Sequence, residues 1–180
     1  MNHFTSELLV RLQDRSDERR FLAALDEWER ALTNYQKQLT RVRGDLPDDL
    51  QRLLDTVPLH DARVLDMWWG GRSLFTITLH PDADLSRLAV LTYSLAGPPQ
   101  VYPEVLPEAV RSRPVAWLYD ELDFASEGRP EGSAFCHSIL LSDGREVRLL
   151  FRNVTVKRPV PLVPAVPAVD ANPPSVRHSA

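Results

Sequence analysis

The sequence is poor in the residues that most often mark a catalytic or secreted protein. Its single cysteine, Cys136, cannot form an internal disulfide, which fits a reducing compartment. No Lys or Arg is near Cys136 in the sequence, so we interpret it as a buried structural thiol. The seven glycines form no phosphate-binding run, and no GxSxG, GxGxxG, Walker or HExxH pattern occurs. No motif therefore favours a nucleotide-binding protein or a common hydrolase.

The chain also lacks a strong excess of either charge and any long apolar run. Lys and Arg total 21 against 25 Asp and Glu, a net charge of −4 over 180 residues. This balance gives no electrostatic reason to expect binding to nucleic acid or to an anionic membrane. No stretch approaches the ~18 apolar residues of a transmembrane helix, and the N-terminal sequence has no signal-peptide pattern. We therefore expect a cytoplasmic protein that binds neither nucleic acid nor membrane.

Residues 5 to about 56 have the pattern of helices. Thr5 or Ser6 can cap a short first helix, and Ser16 is the favoured N-cap of a long second one. Steps of three and four residues separate the apolar side chains of the long helix, which are Phe21, Leu25, Trp28, Leu32, Tyr35, Leu39 and Val42. This stripe is predicted to pack on a sheet within the same chain. Gly44 ends the helix, and a short third helix follows in PDDLQRLLDTV.

After about residue 62 the hydrophobic period changes from helical to alternating. Gly70-Gly71 and Asp143-Gly144 each join two strand-like runs, which is a strong hairpin signal. Helices followed by strands predict an α+β domain over residues 1–157, with N-terminal helices packed on a mainly antiparallel sheet of about six strands. Residues 158–180 hold six prolines and no glycine, so we predict a disordered tail there.

Four residues are candidates for chemistry: His60, Asp61, Glu121 and His137. His60 and Asp61 are adjacent in VPLHDARVL and could act as a base and its orienting carboxylate. Because neighbouring strand residues face opposite ways, we predict instead that Asp61 accepts backbone hydrogen bonds and fixes the helix-to-sheet junction. Glu121 shares a strand face with Tyr119, and His137 is predicted to pack within the sheet. No His or Cys spacing matches a metal site, so neither metal nor cofactor is expected.

Trp68 and Trp69 are the most unusual apolar feature of the sequence. Adjacent strand residues project to opposite faces, so one tryptophan is predicted to enter the core and the other to lie on the outer face beside the hairpin turn. An exposed tryptophan there would be a candidate anchor for a protein partner. In the alternative, the outer tryptophan packs under the proline-rich segment that follows or under the long helix.

Several short motifs follow one another in a recognisable order: HFTSELL, LHDARVL, VAWLYDELDF and the hairpin FCHSILLSDGREVRLLFRNVTV. The residues concerned are Phe4, Thr5, Glu7, His60, Asp61, Val64, Leu118, Tyr119, Glu121, His137, Leu140, Asp143, Gly144 and Phe151. Over residues 4 to about 156 this pattern resembles a group of bacterial proteins catalogued as domain of unknown function 4085. That family implies no activity, and the proline-rich tail has no counterpart in it. Some small bacterial immunity proteins have a similar layout, which suggests toxin neutralisation by analogy only.

Together these observations predict a non-catalytic, cytoplasmic bacterial protein that binds another protein. The prediction depends on the missing catalytic motifs, the long amphipathic helix and the paired tryptophans. The alternative is a small-ligand-binding protein or a hydrolytic enzyme that uses His60, Asp61, Glu121 and His137. A monomer is expected because the bulky aromatics of the helix do not suit a two-stranded coiled coil, and a homodimer through the long helix is the other option.

Overall fold

Three α-helices precede the strands in the computed structural model, which describes residues 1–56, 59–71, 73–81, 87–102, 114–125 and 134–161. The helices are α1 (Ser6–Gln13), α2 (Glu18–Val42) and α3 (Asp48–Thr56), and a short 3-10 turn, Arg43–Asp45, links the last two. Within these described ranges, no helix is both long enough and apolar enough to cross a membrane.

The helix caps agree in part with the sequence prediction. Thr5 caps α1, and its hydroxyl accepts the Leu8 N–H at 3.2 Å. Asp17 rather than Ser16 caps α2, with its carboxylate 3.1 Å from the Arg20 nitrogen. The prediction of Ser16 was wrong because the backbone N–H and hydroxyl of Ser16 bond the Asp14 side chain, which places Ser16 in the preceding turn.

The long helix packs inward through part of the predicted stripe and through two alanines beside it. Its buried residues are Ala24, Ala31, Tyr35 and Val42. Leu25 and Leu32, which the seven-residue stripe placed inside, are 36% and 42% exposed. The two small alanines allow close approach, so that Tyr35 reaches β5 (Val115–Phe124) and its hydroxyl accepts the Leu122 N–H at 3.2 Å. The predicted packing of the helix on the sheet is observed: Tyr35 and Val42 of the stripe are buried, whereas Ala24 and Ala31 take the inward positions expected for Leu25 and Leu32.

The strands form one antiparallel sheet, which confirms the α+β prediction. They are β1 (Ala62–Gly70), β2 (Leu74–His80), β3 (Arg87–Leu95), β4 (Gln100–Tyr102), β5, β6 (Phe135–Leu141) and β7 (Glu146–Pro161). Their order is β3-β2-β1-β5-β6-β7-β4, and β3 also pairs with β7, so the strand pairing closes on itself. The described residues contain seven strands rather than about six, because three residues of β4 are too few to show an alternating pattern.

Both predicted hairpins are present, and their glycines have different roles. Gly71 and Gly144 have positive φ values of 71° and 86°, which an L side chain adopts only with strain. Gly70 is instead the last residue of β1, and a Cβ atom there would lie 2.3 Å from the Trp68 ring. Gly70 is therefore needed for the close approach of an indole rather than for its own backbone conformation.

The last strand runs beyond the predicted end of the domain. In β7, Val160 pairs with Leu88 and Pro161 pairs with Arg87 of β3. Residues 158–161, which the sequence assigned to a tail, therefore belong to the sheet. Proline is tolerated there because Pro161 is the terminal residue of its strand, where a missing N–H costs least. The rest of the predicted tail, residues 162–180, lies outside the described residues.

Two apolar clusters stabilise the fold. The larger one fills the inside of the closed sheet, where Tyr93, Trp117 and Phe151 are among the largest fully buried side chains. The smaller one lies between the helices and the outer face of β5, where Phe4 and Tyr35 are buried together. The N-terminal residues, α1 and α2 therefore cover the outer face of β5, whereas Leu50 of α3 belongs to the larger cluster.

Candidate functional site

His60 and Asp61 form an exposed turn at the entrance to β1. The His60 Nδ1 atom lies 2.8 Å from an Asp61 carboxylate oxygen, and the two side chains are 52% and 58% exposed. Asp61 has a positive φ of 64°, and its own N–H donates to the Trp117 carbonyl at 2.8 Å. The expected bonds from backbone N–H groups to the Asp61 carboxylate are not found among the described residues. Asp61 thus joins the turn to β5 through its backbone, while its side chain holds the imidazole.

The imidazole of His60 covers an aromatic group. Its centroid lies 4.9 Å from that of Tyr119, edge to face. Tyr119 in turn packs on Trp28 at 4.3 Å and on Phe4 at 5.3 Å. Burial and, to a lesser degree, the Asp61 carboxylate raise the pKa of Tyr119. The turn therefore lies over the edge of the smaller apolar cluster, which gives both residues a structural role.

Glu121 binds the N-terminal segment. Its side chain accepts three consecutive backbone N–H groups, those of Asn2, His3 and Phe4, each at 2.7 Å. Both carboxylate oxygens take part, and the residue is only 3% exposed. These bonds hold the Phe4 side chain between the helices and the sheet, so Glu121 is committed to anchoring a chain segment.

His137 lies inside the closed sheet, in a chain of hydrogen bonds. Its Nδ1 atom is 2.9 Å from the Tyr93 hydroxyl, and its Nε2 atom is 3.1 Å from the Asp120 carboxylate. The Trp117 indole N–H donates to the same carboxylate at 3.0 Å. Burial, and secondarily the charge of Asp120, raises the pKa of Tyr93 well above its ordinary value. A hydroxyl that stays protonated donates to Nδ1, so the arrangement favours an Nε2–H that donates to Asp120.

Sequence reasoning missed Asp120 as the partner of His137. The register between β5 and β6 shifts between Trp117 and Tyr119, which is a β-bulge at Leu118. The bulge turns Trp117 and Asp120 to the same inner face, although simple alternation would place them on opposite faces. No signal in a single sequence marks such a bulge.

The structure does not bring the four sequence candidates to one point. Glu121 pairs with Ser138, so it faces outward, whereas the neighbouring His137 faces the interior. His60 contacts Tyr119 on the outside, and the Asp61 carboxylate holds the His60 ring there. No group of three or more His, Cys, Asp or Glu in metal-binding geometry occurs in the part of the chain that the structure describes.

Cys136 has a cationic neighbour that its sequence context does not show. The Arg148 Nε–H donates to its sulfur at 3.2 Å from the adjacent strand β7. This hydrogen bond is the main cause that raises the pKa of Arg148. Cys136 is buried, as expected. A cation lies beside the thiol, although none is near it in the sequence, because residues 12 positions apart meet across the β6–β7 hairpin.

The two tryptophans of β1 are both largely exposed. Trp68 is 58% and Trp69 is 50% exposed. Trp68 lies opposite Thr76 and faces outward, whereas Trp69 lies opposite the buried Phe75 and so belongs to the inner face. One tryptophan belongs to the inner face, as predicted, but it is not buried in the core as expected. Trp69 lies at the end of the sheet, where the interior opens to solvent.

A groove of about 390 Å³ opens beside Trp69. Its lining residues are Trp69, Phe75, Pro99, Gln100, Val101 and Tyr102. Tyr102 is 53% exposed. Leu74, on the outer side of the β1–β2 hairpin that contains Trp69, is 40% exposed. We call Trp68, Trp69, Leu74 and Tyr102 the aromatic surface. It offers large apolar groups together with an indole N–H and a phenol hydroxyl, a combination suited to contacts with another polypeptide.

Compared with known proteins, the chain matches no protein-family model and no curated protein sequence. The resemblance to the bacterial family of domain 4085 therefore stays a prediction. A function is therefore inferred from the geometry of the residues that the structure describes.

Proposed function

We propose that the protein is a non-catalytic module that binds another protein through the aromatic surface. The observation that carries the proposal is the pair of adjacent tryptophans, each at least half exposed, at one end of the sheet. Tryptophan and tyrosine are enriched among the residues that supply most of the binding energy of protein interfaces. Large apolar side chains that are exposed together at one end of a sheet favour an interaction site.

The size of the effect supports this choice. A tryptophan that is half exposed keeps roughly 100 Å² of accessible surface. Covering Trp68 and Trp69 with a partner would remove on the order of 200 Å² from water, or about 5 kcal/mol at ~25 cal/mol per Å². That gain is large enough to offset a substantial part of the cost of association. The exposed polar turn at His60 and Asp61 offers no comparable gain, because exposed ion pairs contribute about 1 kcal/mol or less.

The alternative of a small-ligand-binding protein or hydrolytic enzyme is less well supported. It needs His60, Asp61, Glu121 and His137 to act together, and their side chains lie on different faces of the sheet. His137 is also fully buried and occupied by two hydrogen bonds. The bacterial origin and the toxin partner in this proposal are suggested by the order of the sequence motifs. The cytoplasmic location is suggested by the single cysteine and the charge and apolar pattern of the sequence.

Affinity capture from the source cell tests the proposal. The bait variants are the wild type, a Trp68→Ser/Trp69→Ser double variant and a matched control, Leu22→Ser/Leu32→Ser, which changes two leucines exposed on α2. We expect the wild type and the control to retain the same protein, and the tryptophan variant to lose it while it keeps the circular dichroism spectrum of the folded protein. Equal capture by the tryptophan variant would contradict the proposal. Loss in the leucine control alone would instead favour binding, or a homodimer, through α2.

A further inference from the structure

The groove beside Trp69 has walls that suit an extended apolar segment. The half-exposed Trp69 and Tyr102 line it together with the buried Phe75. Among the described residues, Pro99 and Val101 add apolar lining, and Gln100 adds an amide. Aromatic-lined grooves of this kind bind polyproline-type helices, since indole N–H and phenol O–H groups can donate to the carbonyls that such helices leave free.

The chain itself contains a segment with the matching periodicity. After β7, the sequence LVPAVPAV of residues 162–169 repeats valine and proline with a period of three. Val163, Val166 and Val169 form one series, and Pro164 and Pro167 form the next. A polyproline helix has three residues per turn, so each series would form one straight ridge in that conformation. Two adjacent ridges of valine and proline would offer an apolar face to the aromatic lining of the groove.

We infer that the groove binds residues 162–169 of a second copy of this chain. The inference rests on the proposed function, because it uses the same aromatic surface, and it names the partner segment. It replaces the monomer expected from the sequence with a self-association that does not use α2. The association is reciprocal, since each copy offers one groove and one segment.

Reach is the reason for assigning the segment to a second copy. Pro161 pairs with Arg87, whereas the groove residue Phe75 pairs with Tyr93, six residues further along β3. At ~3.3 Å per residue, the near wall of the groove is roughly 20 Å from Pro161. A polyproline segment of eight residues covers roughly 25 Å. Within one copy, its last residues would reach the near wall but could not lie across the groove to Tyr102. A segment from a second copy has no such restriction.

Sedimentation velocity over a range of concentrations tests the inference with the full chain. Three variants are compared with the wild type: Trp69→Ser, which changes the groove; Pro164→Ser/Pro167→Ser, which changes the segment; and Pro173→Ser/Pro174→Ser as a proline control outside the repeat. We expect a concentration-dependent dimer for the wild type and the control, and a dimer about tenfold weaker or undetectable for the other two. In a mixture of the groove and segment variants, the intact groove of one chain can bind the intact segment of the other, so one of the two contacts of the dimer should return. If Trp69→Ser folds poorly, Tyr102→Ser should have the same effect on the dimer.

A synthetic peptide of residues 159–170 separates this inference from the proposed function. The peptide should change the tryptophan fluorescence of the Pro164→Ser/Pro167→Ser chain but not of that chain carrying Trp69→Ser. A wild type that stays monomeric and a peptide that does not bind would overturn the inference. If cellular capture still depended on Trp68 and Trp69, the proposed function would stand without it. A dimer that survives both variants but is lost in Leu22→Ser/Leu32→Ser would also overturn the inference, in favour of α2.

Discussion

Two aromatic groups of this molecule differ in what covers them. Phe4, Trp28 and Tyr119 pack against each other on the outer face of β5, where α1, α2 and the N-terminal residues enclose them. Trp68 and Trp69, at the far end of β1, keep half or more of their surface in solvent. The first group stabilises the fold, because its partners are within the chain. Trp68 and Trp69 have a similar apolar area, but the described residues cover less of it. This difference favours a role in binding for the second group.

The largest expected effect concerns the enclosed group. We expect Phe4→Ala to lower the free energy of unfolding by about 3–5 kcal/mol, since Phe4 is buried against three aromatic rings. Trp69→Ala, at the exposed group, should lower it by less, about 2 kcal/mol, because only half of that side chain is buried. Urea denaturation followed by circular dichroism measures both. Similar losses for the two variants would remove the distinction between the two groups.

The next effect concerns the anchor of the enclosed group. Glu121→Gln replaces one acceptor oxygen by an NH₂ donor in front of the N–H groups of Asn2, His3 and Phe4. A buried donor left unpaired costs about 1–3 kcal/mol, so we expect a loss of that order and faster hydrogen exchange at these amides. Asp123→Asn, on the same strand, is the matched control and should leave their exchange unchanged. Unchanged exchange in Glu121→Gln would show that the carboxylate does not hold the segment.

The alkaline limit of stability follows from the two buried tyrosines. Burial raises the pKa of Tyr35 and of Tyr93 above the ordinary value of 10.0. Because each tyrosine has a higher pKa in the folded state, its contribution to the free energy of unfolding is fully present below about pH 10. That contribution is lost as the pH rises, because the unfolded chain deprotonates first. The free energy of unfolding should fall above about pH 10, by up to ~1.4 kcal/mol per pH unit for each tyrosine.

Single tyrosine variants check that assignment. Tyr93→Phe should reduce the alkaline slope, whereas Tyr102→Phe should leave it unchanged, because Tyr102 is exposed. At neutral pH, Tyr93→Phe should also cost about 1–3 kcal/mol, since it leaves His137 Nδ1 without its hydrogen-bond partner. A slope that is the same in all three proteins would contradict the role given to Tyr93. Guanidinium denaturation at pH 7, 10 and 11 gives the comparison.

The smallest effect is expected at the turn that leads into β1. Asp61 has positive φ, so Asp61→Ala should cost about 1 kcal/mol, while Asp61→Gly should cost less because glycine adopts this conformation without strain. Both variants lose the contact with His60, so the difference between them comes from the backbone conformation. If the two variants are equally stable, the side-chain contact rather than the conformation determines the stability of the turn. Thermal unfolding resolves the difference.

Local signals account for the part of this structure that the sequence predicted. The period of α2 and the glycines at the hairpin turns act over a few residues, so the α+β class and both hairpins followed from them. The bulge at Leu118 and the exposure of Trp69 depend on the register and on the ends of the assembled sheet, not on the local pattern of residues. For the same reason Asp120 was not recognised as the partner of His137, and the exposure of Leu25 and Leu32 on α2 was not expected. A single sequence contains no direct record of such pairings.

Photo-crosslinking in the source cell tests the central claim most directly. Trp69 is replaced by the aromatic crosslinker benzoylphenylalanine, and Thr33, exposed on α2, is replaced by it in the control. The aromatic surface, if it is the binding site, should give a discrete crosslinked protein from position 69 and none from position 33. A Trp68→Ser change in the same chain should weaken that product. Crosslinking from position 33 but not from position 69 would show that the helical face, and not the aromatic surface, meets the partner.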